Sequence, residues 1–220
     1  MGILNHGLFG PHKGRTGNVI GSFWKKINVL RIRPETYNDA NSLLQQDQRM
    51  RFKLTNDFTS LNKMVIKIGF SGERNSASPF NRATKYNMMN AITGKYPDLK
   101  LDLNLARISI GELEGIEAPV LTTPNAQTIK IEWIDNSGHG HAEATDNVFV
   151  SIIDEPITEA FINDTMIKRC DRTATIELPQ KWSGKNVVVM AFTASEMVIN
   201  TAKNKYQVSN SAVLGKVKVA

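Results

Sequence analysis

Residues 128–135, TIKIEWID, and residues 146–154, DNVFVSIID, decide the fold class. The first places Ile129, Ile131 and Trp133 at alternate positions, and the second does the same with Val148, Val150 and Ile152. Successive side chains of a strand point to opposite faces, so each segment lays its apolar set on one side. TATIELP (173–179) repeats the pattern with Ala174, Ile176 and Leu178. NVVVMAFTA (186–194) is apolar at both parities, as expected of a central strand covered on both faces. KYQVSNS (205–211) and GKVKVA (215–220) supply the last strands. Asn, Asp, Gly and Pro punctuate these runs, which predicts an antiparallel Ig/fibronectin-III-like β-sandwich of about seven strands.

Upstream of residue 118 the period is different. Residues 42–68 read as a helix: Ser42 and Gln45 form a capping box, and Leu54, Phe58, Leu61 and Val65 make a buried stripe, with Gly69 as the stop. Residues 79–93 read as a second helix, capped by Ser78, with Pro79 in the first position and Gly94 after the end. Phe80, Ala83, Asn87 and Ala91 share its inner face. Tyr96-Pro97-Asp98 makes a turn, and LARISIGEL (105–113) is expected to be a strand. Residues 111–126 carry two prolines and two glycines and make the best boundary. The expected organisation is α+β, mostly β: residues 1–115 as a basic, glycine-rich β-ribbon with two helices, and residues 116–220 as the sandwich.

The ribbon is GPHKGRTGNVIGSFWKKINVLRIRP, residues 10–34. NVIGSFW and INVLRIRP are rich in β-branched and aromatic residues and read as two strands, with Lys25-Lys26 at the turn. Gly10 to Thr16 superficially resembles a phosphate-binding loop. Three residues separate its glycines where four are needed, Arg15 stands in place of Lys, and a strand follows instead of a helix. Nucleotide binding is excluded on that spacing. Lys13, Arg15, Lys25, Lys26, Arg31 and Arg33 have the charge to neutralise phosphates. However, Phe23 and Trp24 are adjacent in a strand, so they point to opposite faces and cannot form one stacking platform.

The bulk numbers exclude several classes. Hydrophobic content of 41% and charged content of 22% fit a folded chain and not a disordered one. The single cysteine, Cys170, excludes an internal disulfide and a multi-cysteine zinc site. No apolar run approaches the roughly 18 to 20 residues that span a bilayer. The start, MGILNHGLFG, lacks the basic n-region and long apolar stretch of a signal peptide, which predicts cytoplasmic synthesis and leaves open later release in a particle or an extracellular assembly. His6 stands where a myristoylation motif has Ser or Thr. Residues 1–100 carry 16 Lys/Arg and 6 Asp/Glu, against 11 and 15 in residues 101–220, so a basic half faces a mildly acidic one.

Candidate chemistry is sparse. His139 and His141, with Asp135, Glu143 and Asp146 nearby, have metal-ligand residue types, but DNSGHGHAEATD also reads as a polar turn between strands. Cys170 lies between Arg169 and Arg172, cations of the kind that activate a thiol, but it reads more simply as an unremarkable, partly buried cysteine. None of the four histidines stands in a catalytic context, so no enzyme, cofactor or catalytic residue is expected. Trp133 and Trp182 are the candidates for a glycan-binding platform, and their more ordinary role is core or sheet-edge packing.

As a set, the motifs resemble an uncharacterised family of proteins from Bacteroidota and their mobile elements. G-x-x-G-N-V-x-G-x-x-W-K spans Gly14 to Lys25, and the exit runs from Arg31 to Pro34. Q-x-x-Q-R-x-x-F is Gln45, Gln48, Arg49 and Phe52. Further matches are SPFN (78–81), KYPD (95–98), S-x-G-x-L (109–113), L-P-x-x-W-S-G-K (178–185) and VSNS (208–211). Lys26 departs from the pattern, which often has Gly there, so the hairpin turn is expected to differ. The resemblance carries no established activity. Similar Q-x-x-Q-R segments after basic glycine-rich ribbons occur in phage-like structural proteins.

The ribbon has the greatest physical consequence. A lone hairpin is marginal in water and needs a further strand or a packing surface. Its unpaired edges also template pairing with other chains. The expected function is therefore a non-enzymatic, self-assembling structural subunit, a component of a fibre, tube or phage-like particle. Its partner is itself, through Val19, Ile20, Phe23, Trp24, Ile27, Val29, Leu30 and Ile32, with Lys13, Arg15, Lys25, Lys26, Arg31 and Arg33 as electrostatic contacts. The alternative is a binding module that grips nucleic acid by the ribbon, or a glycan or protein by the sandwich loops.

Overall fold

A computed structural model describes residues 3–4, 11–24, 27–36, 39–71, 77–163, 165–195 and 208–219. The chain divides into two compact units, Met1–Ser42 and Leu43–Ala220. In the first unit, β1 (Ile3–Leu4), β2 (His12–Thr16), β3 (Val19–Trp24) and β4 (Ile27–Ile32) form one four-stranded antiparallel sheet in that order. The two expected strands of the ribbon are present, and two more join them.

The second unit opens with α1 (Leu43–Leu61), α2 (Lys63–Gly69) and α3 (Pro79–Asn90), then a small pair, β5 (Ile92–Thr93) and β6 (Lys100–Leu101). The expected 42–68 helix is broken at Asn62, which is buried. Its amide nitrogen donates to the Phe58 carbonyl at 3.0 Å, and its side-chain oxygen accepts from the Ser151 hydroxyl at 2.6 Å. A polar side chain is tolerated at this depth because both ends are satisfied. In the expected stripe Phe58 and Val65 are buried, whereas Leu54 and Leu61 are half-buried. The second helix ends at Asn90 rather than at residue 93. Its Ser78 cap forms as expected, accepting from the Asn81 N–H at 3.3 Å.

β7 (Glu117–Thr122), β8 (Thr128–Ile134), β9 (Asn147–Asp154), β10 (Ala160–Ile162), β11 (Ile167–Lys168), β12 (Thr173–Glu177), β13 (Asn186–Ala194) and β14 (Ala212–Lys218) build two sheets. One has the order β12-β8-β7; the other has the order β10-β9-β13-β14, with β11 also on β9. Every registered pair in them is antiparallel. Between the sheets lie Ile129, Ile131 and Trp133 of β8, Val148, Val150 and Ile152 of β9, and Val187, Val189 and Ala191 of β13. The faces read from TIKIEWID and DNVFVSIID are the inner faces of this core.

The opposite face of the larger sheet is also covered. Ile153, Val188, Met190 and Phe192 share a core with Phe58, Val65 and Ile66 of the helices. β13 is apolar at both parities because one side meets a sheet and the other meets helices. The helices therefore belong with the sandwich, and the break in the chain falls after Ser42 instead of at residue 115. Residues 111–126 are not a linker: β7 runs through them. Pro119 is accommodated at the end of its sheet, where the register shifts between Glu117 and Val120.

LARISIGEL is not a strand. Its alternation does bury Ala106 and Ile108, but its hydrogen bonds go to side chains and loops. The Arg107 N–H donates to Asn87 Oδ1 at 2.7 Å, and the Ile108 N–H donates to the Ser211 hydroxyl at 3.0 Å. The Ile110 N–H donates to the Gly69 carbonyl at 3.0 Å. Gly69 stands here because a Cβ on it would fall 2.3 Å from the Ile108 carbonyl oxygen. Of KYQVSNS, residues 205–207 lie outside the described residues, and Val208 and Ser209 make single bridges to Ala194 and Leu113.

Candidate functional site

The β-meander of the first unit holds every assembly residue expected from the sequence. β2 is bent at Gly14, whose φ of 98° lies in the range that favours glycine. The bend lets His12 Nε2 and Thr16 Oγ1 share a hydrogen bond of 2.9 Å, although the two are four residues apart. It also brings the His12 carbonyl over β3, where a Cβ on Gly21 would lie 2.2 Å from that oxygen. Gly14, a glycine of the apparent phosphate loop, thus serves with Gly21 a close approach of backbone to backbone. At the β2–β3 turn Arg15 Nε donates to the Gly17 carbonyl at 3.1 Å, and the Arg33 N–H donates to the Asn18 carbonyl at 2.8 Å.

Cross-strand register sorts the side chains into two faces. Val19 pairs with Ile32, Gly21 with Leu30 and Phe23 with Asn28. On the other face Arg15 pairs with Ile20 and Ile20 with Arg31, followed by Ser22 with Val29 and Trp24 with Ile27. Both faces keep exposed apolar side chains, with His12 covering the first face at the buried Gly21: Phe23 is 60% exposed, Trp24 62%, Leu30 64% and Ile32 78%. Val19, Ile27 and Val29 are exposed, and Ile20 is half-buried. Lys13, Arg15, Arg31 and Arg33 are exposed as well. Phe23 and Trp24 stand on opposite faces, as strand alternation requires. Lys25, Lys26 and His6 lie outside the described residues.

The sandwich loops do not gather the metal residues suggested by the sequence. Asp146 is turned inward to Arg169, Asp135 accepts from the Ser137 N–H at 3.0 Å, and Glu114 accepts from the His141 N–H at 3.0 Å. Among the described residues no group of three or more His, Cys, Asp or Glu is placed to share an ion. Hydrogen bonds from Ser137, ahead of the more distant charge of Arg172, hold the Asp135 carboxyl below the usual carboxylate range. Cys170 is exposed, and Arg169 points away from it into the protein. Trp133 and Trp182 are both buried, so neither offers a surface to a glycan. Among the described residues no helix is long and apolar enough to cross a membrane.

Sequence reading missed one buried cluster. Arg169 and Asp146 are fully buried, with Nη2 3.0 Å from Oδ2. Arg169 also donates to the Glu114 carbonyl at 2.7 Å, the Gly115 carbonyl at 2.9 Å and the Asn136 side chain. Trp133 Nε1 donates to the Arg169 carbonyl at 2.9 Å. The two ionic partners are 23 residues apart, and nothing in their spacing marks them as a pair.

A second polar knot closes the β9–β10 turn. Asp154 accepts from the Thr158 N–H at 2.7 Å and the Glu159 N–H at 2.8 Å, and Lys185 lies near both carboxylates. Burial pushes the Asp154 carboxyl up, but hydrogen bonds from Glu159 and Thr158 outweigh it, leaving the carboxyl below its ordinary value.

A family model described as a family of unknown function (DUF6266) matches residues 11–208. No curated protein matches the chain. Among solved structures, the chain is similar to a solution structure of the fn3 domain of human contactin 1, at 10% identity and a TM-score of 0.33, covering 58% of this chain and 93% of that one. It is also similar to a crystal structure of a beta-1,2-glucanase from Parabacteroides distasonis, at 19% identity and a TM-score of 0.27; the match covers 52% of this chain and 15% of the glucanase.

Proposed function

We propose that this chain, which belongs to the family of unknown function DUF6266, is a non-enzymatic structural subunit that assembles with copies of itself through its N-terminal β-meander. The assembly would be a fibre, a tube or a phage-like particle.

The observation that carries this reading is β4. It is the last strand of its sheet, all six of its residues are exposed, and Ile27, Val29, Leu30 and Ile32 are among them. Exposed, apolar edge strands template pairing, and soluble monomers blunt them with charges, bulges or cover. Here Arg31 is the only charge on the strand. The second unit supplies further edges. Its strand orders, β12-β8-β7 and β10-β9-β13-β14, support an Ig/fibronectin-III-like sandwich whose outer strands can accept an added strand.

Size-exclusion chromatography with light scattering of the full chain tests the proposal. Assemblies larger than one chain are expected, lost on replacing Leu30 and Ile32 together with Lys. A chain that stays monomeric at high concentration overturns it. One observation favours a second reading, nucleic-acid binding: Arg15 and Arg31 share a face with Trp24. That reading requires affinity that falls steeply with salt and drops on replacing both arginines.

A further inference from the structure

We infer that the second unit binds one small amphiphile, a straight-chain aliphatic carboxylate, in a pocket between α2 and the strands β9, β10 and β11. The inference is independent of self-assembly.

The pocket has a volume of about 630 Å³, inside the range of about 300–1,000 Å³ that holds a single small ligand. Its walls are mostly apolar. α2 contributes Met64 and Ile68, β9 contributes Phe149, β10 ends in it with Ile162, and Met166 stands just before β11. Met64 and Met166 are exposed, and the flexible thioether of methionine adapts to apolar ligands of irregular shape. The helical wall follows from sequence spacing. Met64, Lys67 and Ile68 share one face of α2 at separations of three and four. Ser71 follows one turn on, its N–H still bonded to the Ile68 carbonyl at 3.0 Å.

Three polar groups are set among these walls. Asn147, at the start of β9, is 5% exposed, and its side-chain amide makes no hydrogen bond among the described residues. The Ser71 hydroxyl is buried and also lacks a partner among them. Buried polar groups are nearly always paired, so two unpaired ones lining one cavity point to a ligand that pairs them. Lys67 is exposed, and it alone among the described lining residues carries charge.

These groups specify the head of the ligand, as the walls specify its body. One lysine balances one negative charge. A carboxylate brings one charge, with acceptor oxygens for the Ser71 hydroxyl and the Asn147 amide. A phosphate monoester would bring nearly two charges against the single cation. A cationic head would meet Lys67 with like charge, and a bare hydrocarbon would leave both buried donors unpaired.

Isothermal titration calorimetry of the full chain with sodium decanoate, below its micelle-forming concentration, tests the inference. One decanoate per chain is expected, with affinity rising about fourfold per added methylene from octanoate to dodecanoate. Lys67→Met should weaken decanoate about fivefold and leave decanol unchanged, as expected for an exposed ion pair. Met166→Asp places a negative charge on the wall and should abolish decanoate binding. A comparison with decyltrimethylammonium needs no variant and so decides the matter even if a variant misfolds: it should bind the unaltered chain far more weakly than decanoate. Absence of decanoate binding, equal binding of decyltrimethylammonium, affinity independent of chain length, or binding that survives Met166→Asp in a folded chain each overturns the inference.

Discussion

Replacing Arg169 with Met leaves the fully buried Asp146 carboxylate without its countercharge. Breaking one side of a buried ion pair costs about 3–5 kcal/mol, so urea unfolding of Arg169→Met should show a loss of that order. Adding Asp146→Leu should recover part of it. Recovery is partial because the Glu114 and Gly115 carbonyls and Asn136 also lose their donor. Asp154 makes a different prediction. Its carboxyl is held below its ordinary value, so the folded state binds its proton less readily than the unfolded chain does. The stability it supplies is complete above the unfolded value of about 3.9 and is lost as pH falls toward the lower, folded value. Melting temperature measured from pH 5 downward should fall less steeply in Asp154→Asn than in the unaltered chain.

At the level of elements, Asn62 ties the junction of α1 and α2 to β9. Asn62→Ala removes the partner of the buried Ser151 hydroxyl and should cost about 1–3 kcal/mol, read from chemical denaturation. Ser151→Ala in the same chain should restore part of that, since both polar groups are then gone. The same junction shows where sequence reading stops. Ile129, Ile131, Trp133 and the doubly apolar 186–194 run announce the sandwich, because strand alternation and burial are local consequences of one another. Ser78 and Pro79 announce a helix start for the same reason. The break at Asn62, the irregular path of residues 105–113 and the fastening of the helices to the sheet depend on partners 20 to about 100 residues away. No periodicity within a segment encodes those. Of the meander, β3 and β4 were legible from their β-branched and aromatic residues, whereas β1 and β2 were not. The bend of β2 was not legible either, because Gly14 and Gly21 act only once β2 is paired with β3 and His12 folds over it.

For the whole molecule, the proposed assembly would draw separable contributions from charge and from apolar surface. The unit Met1–Ser42 holds six Lys/Arg and two Asp/Glu, whereas residues 101–220 carry an excess of acid. Contacts between copies that use this difference weaken as the screening length shrinks from about 10 Å at 0.1 M salt to about 3 Å at 1 M. Pairing through the apolar β4 edge would not. Light scattering across that range should therefore show large assemblies at low salt shortening toward a salt-resistant species held by β4 pairing alone. β13 has a further consequence, during synthesis. It is hydrogen-bonded to β9 on one side and β14 on the other, and it packs against both cores. Residues 147–154 leave the ribosome well before residues 186–194, and until then one long edge of β9 has no strand to pair with. Domains whose centre arrives late expose apolar surface while they wait. Nascent chains stalled between these two strands should therefore be the ones most readily captured by chaperones.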